Sequence, residues 1–129
     1  MTKEKSVENE NARGEVKEII DKCVRCGMCR SLCPVFLAIR EETISPRGKA
    51  IFLQDNIYDK IIYECTLCKA CEKKCPIGIK LCSAFKKARV VLTEEGKGTN
   101  ENKEMIKNIQ DVGNPFGKEP SKNKKMFCC

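Results

Sequence analysis

The sequence predicts an all-α fold built from two pseudo-symmetric halves. No stretch of its 129 residues alternates apolar and polar side chains with the period of two typical of a half-buried strand. A cysteine-rich string recurs at an offset of 42 residues, with CVRCGMCRSLCP from Cys23 to Pro34 matching CTLCKACEKKCP from Cys65 to Pro76. The match extends upstream, where Ile19-Ile20 falls on Ile61-Ile62. Such an internal repeat indicates two copies of one supersecondary unit that pack on each other.

Three helices are predicted outside the motifs. Between them, Ser45-Pro46 is typical of a helix N-cap followed by proline at the first helical position. After the second motif, apolar residues recur at helical spacing and predict a helix over 80–93. A further amphipathic helix is predicted near the C-terminus, closed by Gly113. The apolar positions of the last two helices are Leu81, Phe85, Ala88 and Leu92, and then Met105, Ile106, Ile109 and Val112.

The predicted domain organisation is one domain over 15–116, flanked by disordered charged tails over 1–14 and 117–129. The 41% hydrophobic fraction counts 11 cysteines, and the chain has no Trp and 2 Tyr. This is a thin side-chain core for a domain of this length, so the sequence indicates that something else holds the fold.

Composition also excludes several functions. The chain has no His, which rules out histidine as a general base or as a zinc, haem or Rieske ligand. The charged N-terminus lacks the apolar stretch of a secretory signal, and the run Val35 to Ile39 is too short to cross a bilayer. We therefore expect a cytoplasmic protein whose only membrane association is through partners. In a reducing compartment, such cysteines indicate metal binding before disulfides.

The cysteine spacing predicts two [4Fe–4S] clusters. Thiolates at i, i+3 and i+6 on one curled loop can reach three irons, and in this pattern the fourth cysteine, beside the proline, ligates the other cluster. Cluster 1 is therefore assigned Cys23, Cys26, Cys29 and Cys75, and cluster 2 is assigned Cys65, Cys68, Cys71 and Cys33. This crossed ligation would tie the halves together, because the free energy of metal binding becomes free energy of folding.

The net charge of +7 sits where the cysteines are. Residues 21–92 carry 14 basic and 7 acidic side chains, and several of the basic ones lie inside the motifs. Two anionic clusters would offset much of this surplus. Because no aromatic side chains are interleaved for base stacking, nucleic acid is not an expected partner.

Two alternatives share the same cysteines. A zinc-stapled structural or interaction module would be colourless, but it gives the third cysteine and the Cys-Pro ending no role. An iron–sulfur redox sensor would use exposed, labile clusters, together with the terminal Cys128-Cys129 pair, which is otherwise expected to be mobile and reduced. Cys82 is expected to be a small buried thiol. No catalytic residue is assigned, because the residue list offers no acid, base or nucleophile constellation.

Four strings between Cys23 and Gly117 carry a family resemblance: CVRCGMCRSLCPVF, ISPRGKA, ECTLCKACEKKCPIGI and NIQDVGNPFG. This segment resembles the dicluster α-helical ferredoxin module of the superfamily that holds the heterodisulfide reductase C subunit and the glycolate oxidase iron–sulfur subunit. The resemblance implies an electron-transfer subunit of an oxidoreductase complex, with a flavin-containing subunit and a cysteine-rich catalytic subunit as partners. In fused members a catalytic half with CCG-type motifs follows; Cys128-Cys129 lacks that pattern, so we expect a separate, non-catalytic relay subunit.

Overall fold

The structure, a computed structural model, describes residues 3–117, and in this range it contains helices and no β-strand. The all-α prediction is therefore confirmed. Six α-helices, α1 to α6, and three 3-10 helices, η1 to η3, follow one another along the chain. In order they are α1 Lys3–Ile20, η1 Met28–Leu32, α2 Pro34–Ile39, η2 Glu42–Ile44, α3 Pro46–Gln54, η3 Lys60–Glu64, α4 Ala70–Lys74, α5 Leu81–Glu94 and α6 Asn100–Val112.

The core lies mainly between α1 and α5, which pack along each other. Ala12, Val16 and Ile20 recur every fourth residue on α1, and all three are buried. The N-terminal boundary differs from the predicted one, because α1 begins at Lys3, inside the segment expected to be a disordered tail. On α5 the buried side chains are Leu81, Cys82, Ala84, Phe85, Ala88, Val91 and Leu92.

The predicted start of α3 is confirmed, with Pro46 at its first turn. The Ser45 hydroxyl accepts a hydrogen bond from the backbone N–H of Gly48 at 2.9 Å, as expected of an N-cap. Gly48 also lies against η2, where a Cβ on this residue would stand 2.1 Å from the carbonyl oxygen of Glu42. Only glycine allows α3 and η2 to approach this closely.

The two motifs have matching backbones. Arg25 and Leu67, 42 residues apart, have φ angles of 58° and 56°, and Gly27 and Lys69 have φ angles of 81° and 62°. All four lie in the left-handed region, which is unusual for residues other than glycine. A short helical segment follows in each motif, η1 in the first and α4 in the second. The repeat in the sequence is therefore a repeat of conformation.

Among the described residues, 3–97 form one compact unit and 98–117 form another. In the second unit α6 ends at Gly113, whose φ of 73° provides the predicted left-handed cap. The amide of Asn108 donates to the carbonyl oxygen of Pro115 at 3.2 Å. The proposed tail over 117–129, apart from its first residue, lies outside the described residues. Between residues 3 and 117, none of the helices has the length and apolarity needed to cross a membrane.

Candidate metal centre

One cavity in the first unit is lined by Cys23, Cys26 and Cys29 of the first motif together with Cys75 of the second. These are the four cysteines that the sequence assigns to cluster 1. Other lining residues are Val24, Gly27, Arg47, Pro76, Ile77, Ile79 and Leu81. The cavity therefore combines a curled loop from one repeat with the cysteine-proline ending of the other.

Local structure explains how the first-motif loop reaches this cavity. The loop leaves the end of α1 with the N–H of Cys23 donating to the carbonyl oxygen of Ile20 at 2.8 Å. Gly27 then turns the backbone in the left-handed region. A Cβ on Gly27 would stand 3.0 Å from a terminal nitrogen of Arg47, so this arginine closes against the loop.

The four thiols affect one another electrostatically. Burial is the main cause that raises the pKa of Cys29 to about 11, and Cys23, Cys26 and Cys75 raise it further. Ionising Cys29 beside these thiols without a cation nearby is therefore unfavourable. A cationic metal core removes that repulsion, because metal ligation stabilises thiolates and releases their protons.

The four thiols fit the ligand requirement of an iron–sulfur core. Structural zinc draws its ligands to one point, with Zn–S distances of about 2.3 Å. An iron–sulfur core instead takes one thiolate at each of its irons. Cys23, Cys26, Cys29 and Cys75 supply four thiolates around one cavity, the number that such a core needs.

Electrostatic interactions relate three residues of the second predicted set, Cys71, Cys65 and Cys33. The buried Cys71 on α4 interacts with Cys65, and the charge of Lys49 interacts with both Cys65 and Cys33. Cys33 from the first motif thus shares a neighbour with Cys65 from the second. Cys68 is exposed. Burial, followed by neighbouring thiols, raises the pKa of Cys71.

The two sets of cysteines meet where η1 packs against α4. Cys29 lies on η1 and Cys71 on α4, and these two thiols are close enough to interact electrostatically. One cysteine of each predicted set therefore stands at the contact between the repeats.

Sequence reasoning missed several neighbours of the cysteines. Cys82 is a buried thiol, as predicted, but it also lies close enough to Cys71 to raise the pKa of that thiol, and its N–H donates to the Glu72 carboxylate at 2.9 Å. Lys49 is 1% exposed, although it looks like any lysine in the sequence. Burial lowers the pKa of Lys49, while the Cys65 and Cys33 thiols oppose that shift. No periodicity or motif indicates either of these placements.

Comparison with known proteins indicates the same cofactors. Residues 19–79, which contain both motifs, match the family described as the 4Fe-4S dicluster domain. This match and the two cysteine motifs indicate a chain that carries two [4Fe–4S] clusters. The chain is also similar to iron–sulfur subunits of glycolate oxidase and of heterodisulfide reductase.

The chain is 31% identical over 112 residues to the probable glycolate oxidase iron-sulfur subunit of Bacillus subtilis, covering 75% of this chain and 25% of that protein. It is 30% identical over 82 residues to the iron-sulfur C subunit of the CoB--CoM heterodisulfide reductase of Methanopyrus kandleri, covering 60% and 41%. It is 26% identical over 137 residues to a probable membrane-anchored ferredoxin of Chromohalobacter salexigens, covering 78% and 20%. The chain thus spans between 20% and 41% of the length of these relatives.

Proposed function

We propose that the chain is an electron-relay subunit of a larger oxidoreductase, passing single electrons between a flavin-containing subunit and a cysteine-rich catalytic subunit. The relatives named as iron–sulfur subunits of glycolate oxidase and heterodisulfide reductase support this role. The residues of this chain supply ligands, burial and docking surface, while its partners carry the reacting groups.

The observation that carries the proposal is the position of Cys75. It lines the same cavity as Cys23, Cys26 and Cys29, although it belongs to the other motif. This supports a crossed ligation, with cluster 1 held by Cys23, Cys26, Cys29 and Cys75 and cluster 2 by Cys65, Cys68, Cys71 and Cys33.

The relay needs two redox centres at electron-transfer distance, and each [4Fe–4S] cluster supplies one by cycling through a single electron. Cys29 and Cys71, the thiols that interact across the contact between η1 and α4, provide the connection between the two sites. Val24 and Ile77 line the cavity of the first site, and both are exposed. A partner protein can therefore contact the site along this apolar edge.

The crossed ligation can be tested by combining cysteine variants and measuring iron and acid-labile sulfide after anaerobic purification. The unaltered chain should hold about eight irons and eight sulfides, and Cys75→Ala about half of each. Adding Cys23→Ala to Cys75→Ala should cost no further iron, because both residues serve one cluster. Adding Cys65→Ala instead should remove nearly all of it. Cys82→Ala, a buried thiol outside both sets, is the matched control and should keep the full content.

Two results would contradict the ligation. If Cys75→Ala with Cys65→Ala retained half the iron, Cys75 would serve its own motif. If the unaltered chain held about two zinc ions and no sulfide, it would be a zinc-stapled module.

The relay role itself is tested by anaerobic reduction with a reduced flavin. The chain should accept about two electrons, one for each cluster, and should not consume glycolate or a heterodisulfide without partners. Turnover of either substrate by the isolated chain would contradict a relay.

A further inference from the structure

Each motif is held by a side chain that reaches back to it from a later helix. For the first motif this is Gln54, the last residue of α3. Its side-chain amide donates to the carbonyl oxygens of Ile20 at 3.0 Å and Cys23 at 2.9 Å. One neutral amide thus fixes the backbone that enters the first cysteine set.

For the second motif the corresponding residue is Arg89 on α5. One of its terminal nitrogens donates to the carbonyl oxygens of Ile62 at 3.2 Å, Tyr63 at 3.4 Å and Cys65. Ile62 and Cys65 are the equivalents of Ile20 and Cys23 at the offset of 42 residues. The same two carbonyl groups are therefore bound in both repeats, in one by an amide and in the other by a guanidinium.

The difference is one of charge. A guanidinium stays protonated at any physiological pH, whereas the glutamine amide is neutral. The Nε of Arg89 is buried without a hydrogen-bond partner among the described residues, so its charge is only partly compensated by the carbonyl groups it binds. The positive charge beside Cys65 has no counterpart at Gln54 itself.

Two further features favour negative charge at the second site. Lys49 is buried, with its ammonium donating to the carbonyl oxygen of Ile44 at 2.7 Å and its charge acting on Cys33 and Cys65. The N–H of Leu67 donates to the Sγ of Cys65 at 3.4 Å. Positive charge near the cluster and hydrogen bonds to its sulfur atoms both raise the reduction potential, because reduction adds negative charge.

The cations at the first site are paired with carboxylates. Arg47 donates to Glu42 at 2.7 Å, and its side chain is 30% exposed. Arg25 donates to the oxygen of Gln54 at 2.6 Å and lies 3.7 Å from Asp55, with half of its side chain exposed. Solvent and carboxylates screen such charges, whereas a buried charge acts at a lower effective dielectric.

In the described part of the chain, neither Arg89 nor Lys49 forms an ion pair with the carboxylates near the second site. Glu64 is exposed, and Glu72 accepts the N–H of Cys82. The buried ammonium of Lys49 and the half-buried guanidinium of Arg89 therefore both act on the site that contains Cys65.

We propose that Arg89 and Lys49 raise the reduction potential of cluster 2 above that of cluster 1. The inference rests on the proposed function, since it takes Cys65 and Cys33 as ligands of cluster 2. One electron leaves the reduced cluster 1 and arrives on the oxidised cluster 2, and no bond forms or breaks. At equilibrium, an electron that enters the chain therefore resides on cluster 2, the cluster assigned to Cys65. The difference in reduction potential gives the relay a direction.

The test is a charge exchange between the two equivalent residues, read by potentiometric titration with electron paramagnetic resonance. Arg89→Gln should make one-electron reduction at the higher midpoint about tenfold less favourable, a shift of about 59 mV, and leave the lower midpoint in place. Gln54→Arg should raise the lower midpoint. Lys49→Met should lower the higher midpoint as Arg89→Gln does, and it provides the test if Arg89→Gln does not fold.

Two controls separate charge from position. Lys86→Gln removes one charge from an exposed site on the same helix as Arg89 and should leave both midpoints unchanged. Arg89→Lys keeps the positive charge, so its higher midpoint should stay close to that of the unaltered chain. The proposal is overturned if Arg89→Gln and Lys49→Met both leave the midpoints unchanged, or if they move the lower one. Iron and sulfide content measured on the same samples reports separately on whether two clusters are present.

Discussion

The two cysteine motifs share a backbone but not an environment. At matched positions Arg25 and Leu67 adopt left-handed conformations, as do Gly27 and Lys69. After the motifs the chain diverges, because Pro34 begins α2 whereas Pro76 leads into a turn before α5. The spacing needed to hold a cluster thus constrains loop conformation closely, while the charges around the loop remain free to differ.

The surroundings also differ in how much core they provide. Seven side chains of α5, after the second motif, are buried, whereas α2, after the first motif, buries none. The first motif is held instead by α1, which precedes it, and by the connection through η2 and α3. The buried apolar side chains of the first half therefore lie on α1 and α3, and not on the helix that follows its motif.

The largest expected effect comes from the contact between η2 and α3, a connection that the second half lacks. Gly48→Ala would place a Cβ 2.1 Å from the carbonyl oxygen of Glu42, and neither backbone can yield without moving a helix. We expect a loss of about 3 kcal/mol of stability, typical of severe overpacking. The measurement is the thermal midpoint of the anaerobically reconstituted protein.

Gly14→Ala is the matched control for this change. Gly14 lies within α1, where an added Cβ meets nothing within 4 Å. Alanine in a helix interior is favoured over glycine by about 0.5–1 kcal/mol, so this variant should be slightly more stable. Equal effects of the two substitutions would show that the approach of α3 to η2 does not limit the fold.

The parts of this fold that were predictable depend on local patterns. The cap at Ser45, the helix over 80–93 and the closure at Gly113 follow from residue chemistry within a few positions, and the structure confirms them. The pairing of Cys75 with first-motif cysteines was also predicted, and the structure brings these residues to one cavity. The ligation itself stays a prediction.

The parts that were not predictable depend on packing between distant segments. Gln54 and Arg89 play matching roles, but they are separated by 35 residues, so the repeat of 42 does not reveal them. Helix α1 was not predicted, because Ala12 and Val16 stand among charged residues and need α5 to bury them. Tertiary contacts decided these features, as they commonly do when local propensity is weak.

A smaller change in stability is expected at Gly27 and Lys69, the equivalent residues that adopt left-handed backbone conformations. Lys69 adopts a φ of 62°, a conformation that costs a residue with a Cβ about 1–2 kcal/mol. Lys69→Gly should relieve that strain and raise the thermal midpoint, although the greater flexibility of glycine when unfolded offsets part of the gain. Gly27→Ala should lower the midpoint, since its Cβ would meet Arg47 at 3.0 Å in an already strained conformation.

Gly14→Ala is again the reference for adding a methyl group without conformational strain. Lys69→Gly and Gly27→Ala could instead both lower the thermal midpoint by the same amount. The side chain of Lys69 would then stabilise the fold by more than its left-handed backbone conformation destabilises it. The two loops would then be unequal in a way that their φ angles do not indicate.

The smallest expected effect concerns Glu42, which screens the cations beside the first cysteine set. Its carboxylate accepts hydrogen bonds from Arg47 at 2.7 Å, Ser45 at 3.1 Å and Arg30 at 2.8 Å. Burial alone would raise the pKa of Glu42, but these partners outweigh it and hold the pKa below its ordinary value. Since the folded pKa is the lower one, the stabilisation is present above the unfolded pKa and is lost as pH falls through the folded one.

Glu42→Gln tests this screening through two readouts. At neutral pH the variant should lose less than about 1 kcal/mol, because the side chain is 39% exposed, and the difference from the unaltered chain should vanish in acid. Its lower reduction midpoint should rise, because Arg47 and Arg30 would act on cluster 1 without a compensating carboxylate. A rise would reduce the difference in reduction potential between the two clusters. It would show that screening by Glu42 at the first site helps to maintain that difference. An unchanged midpoint would assign the asymmetry to the second site alone, where Arg89 and Lys49 act.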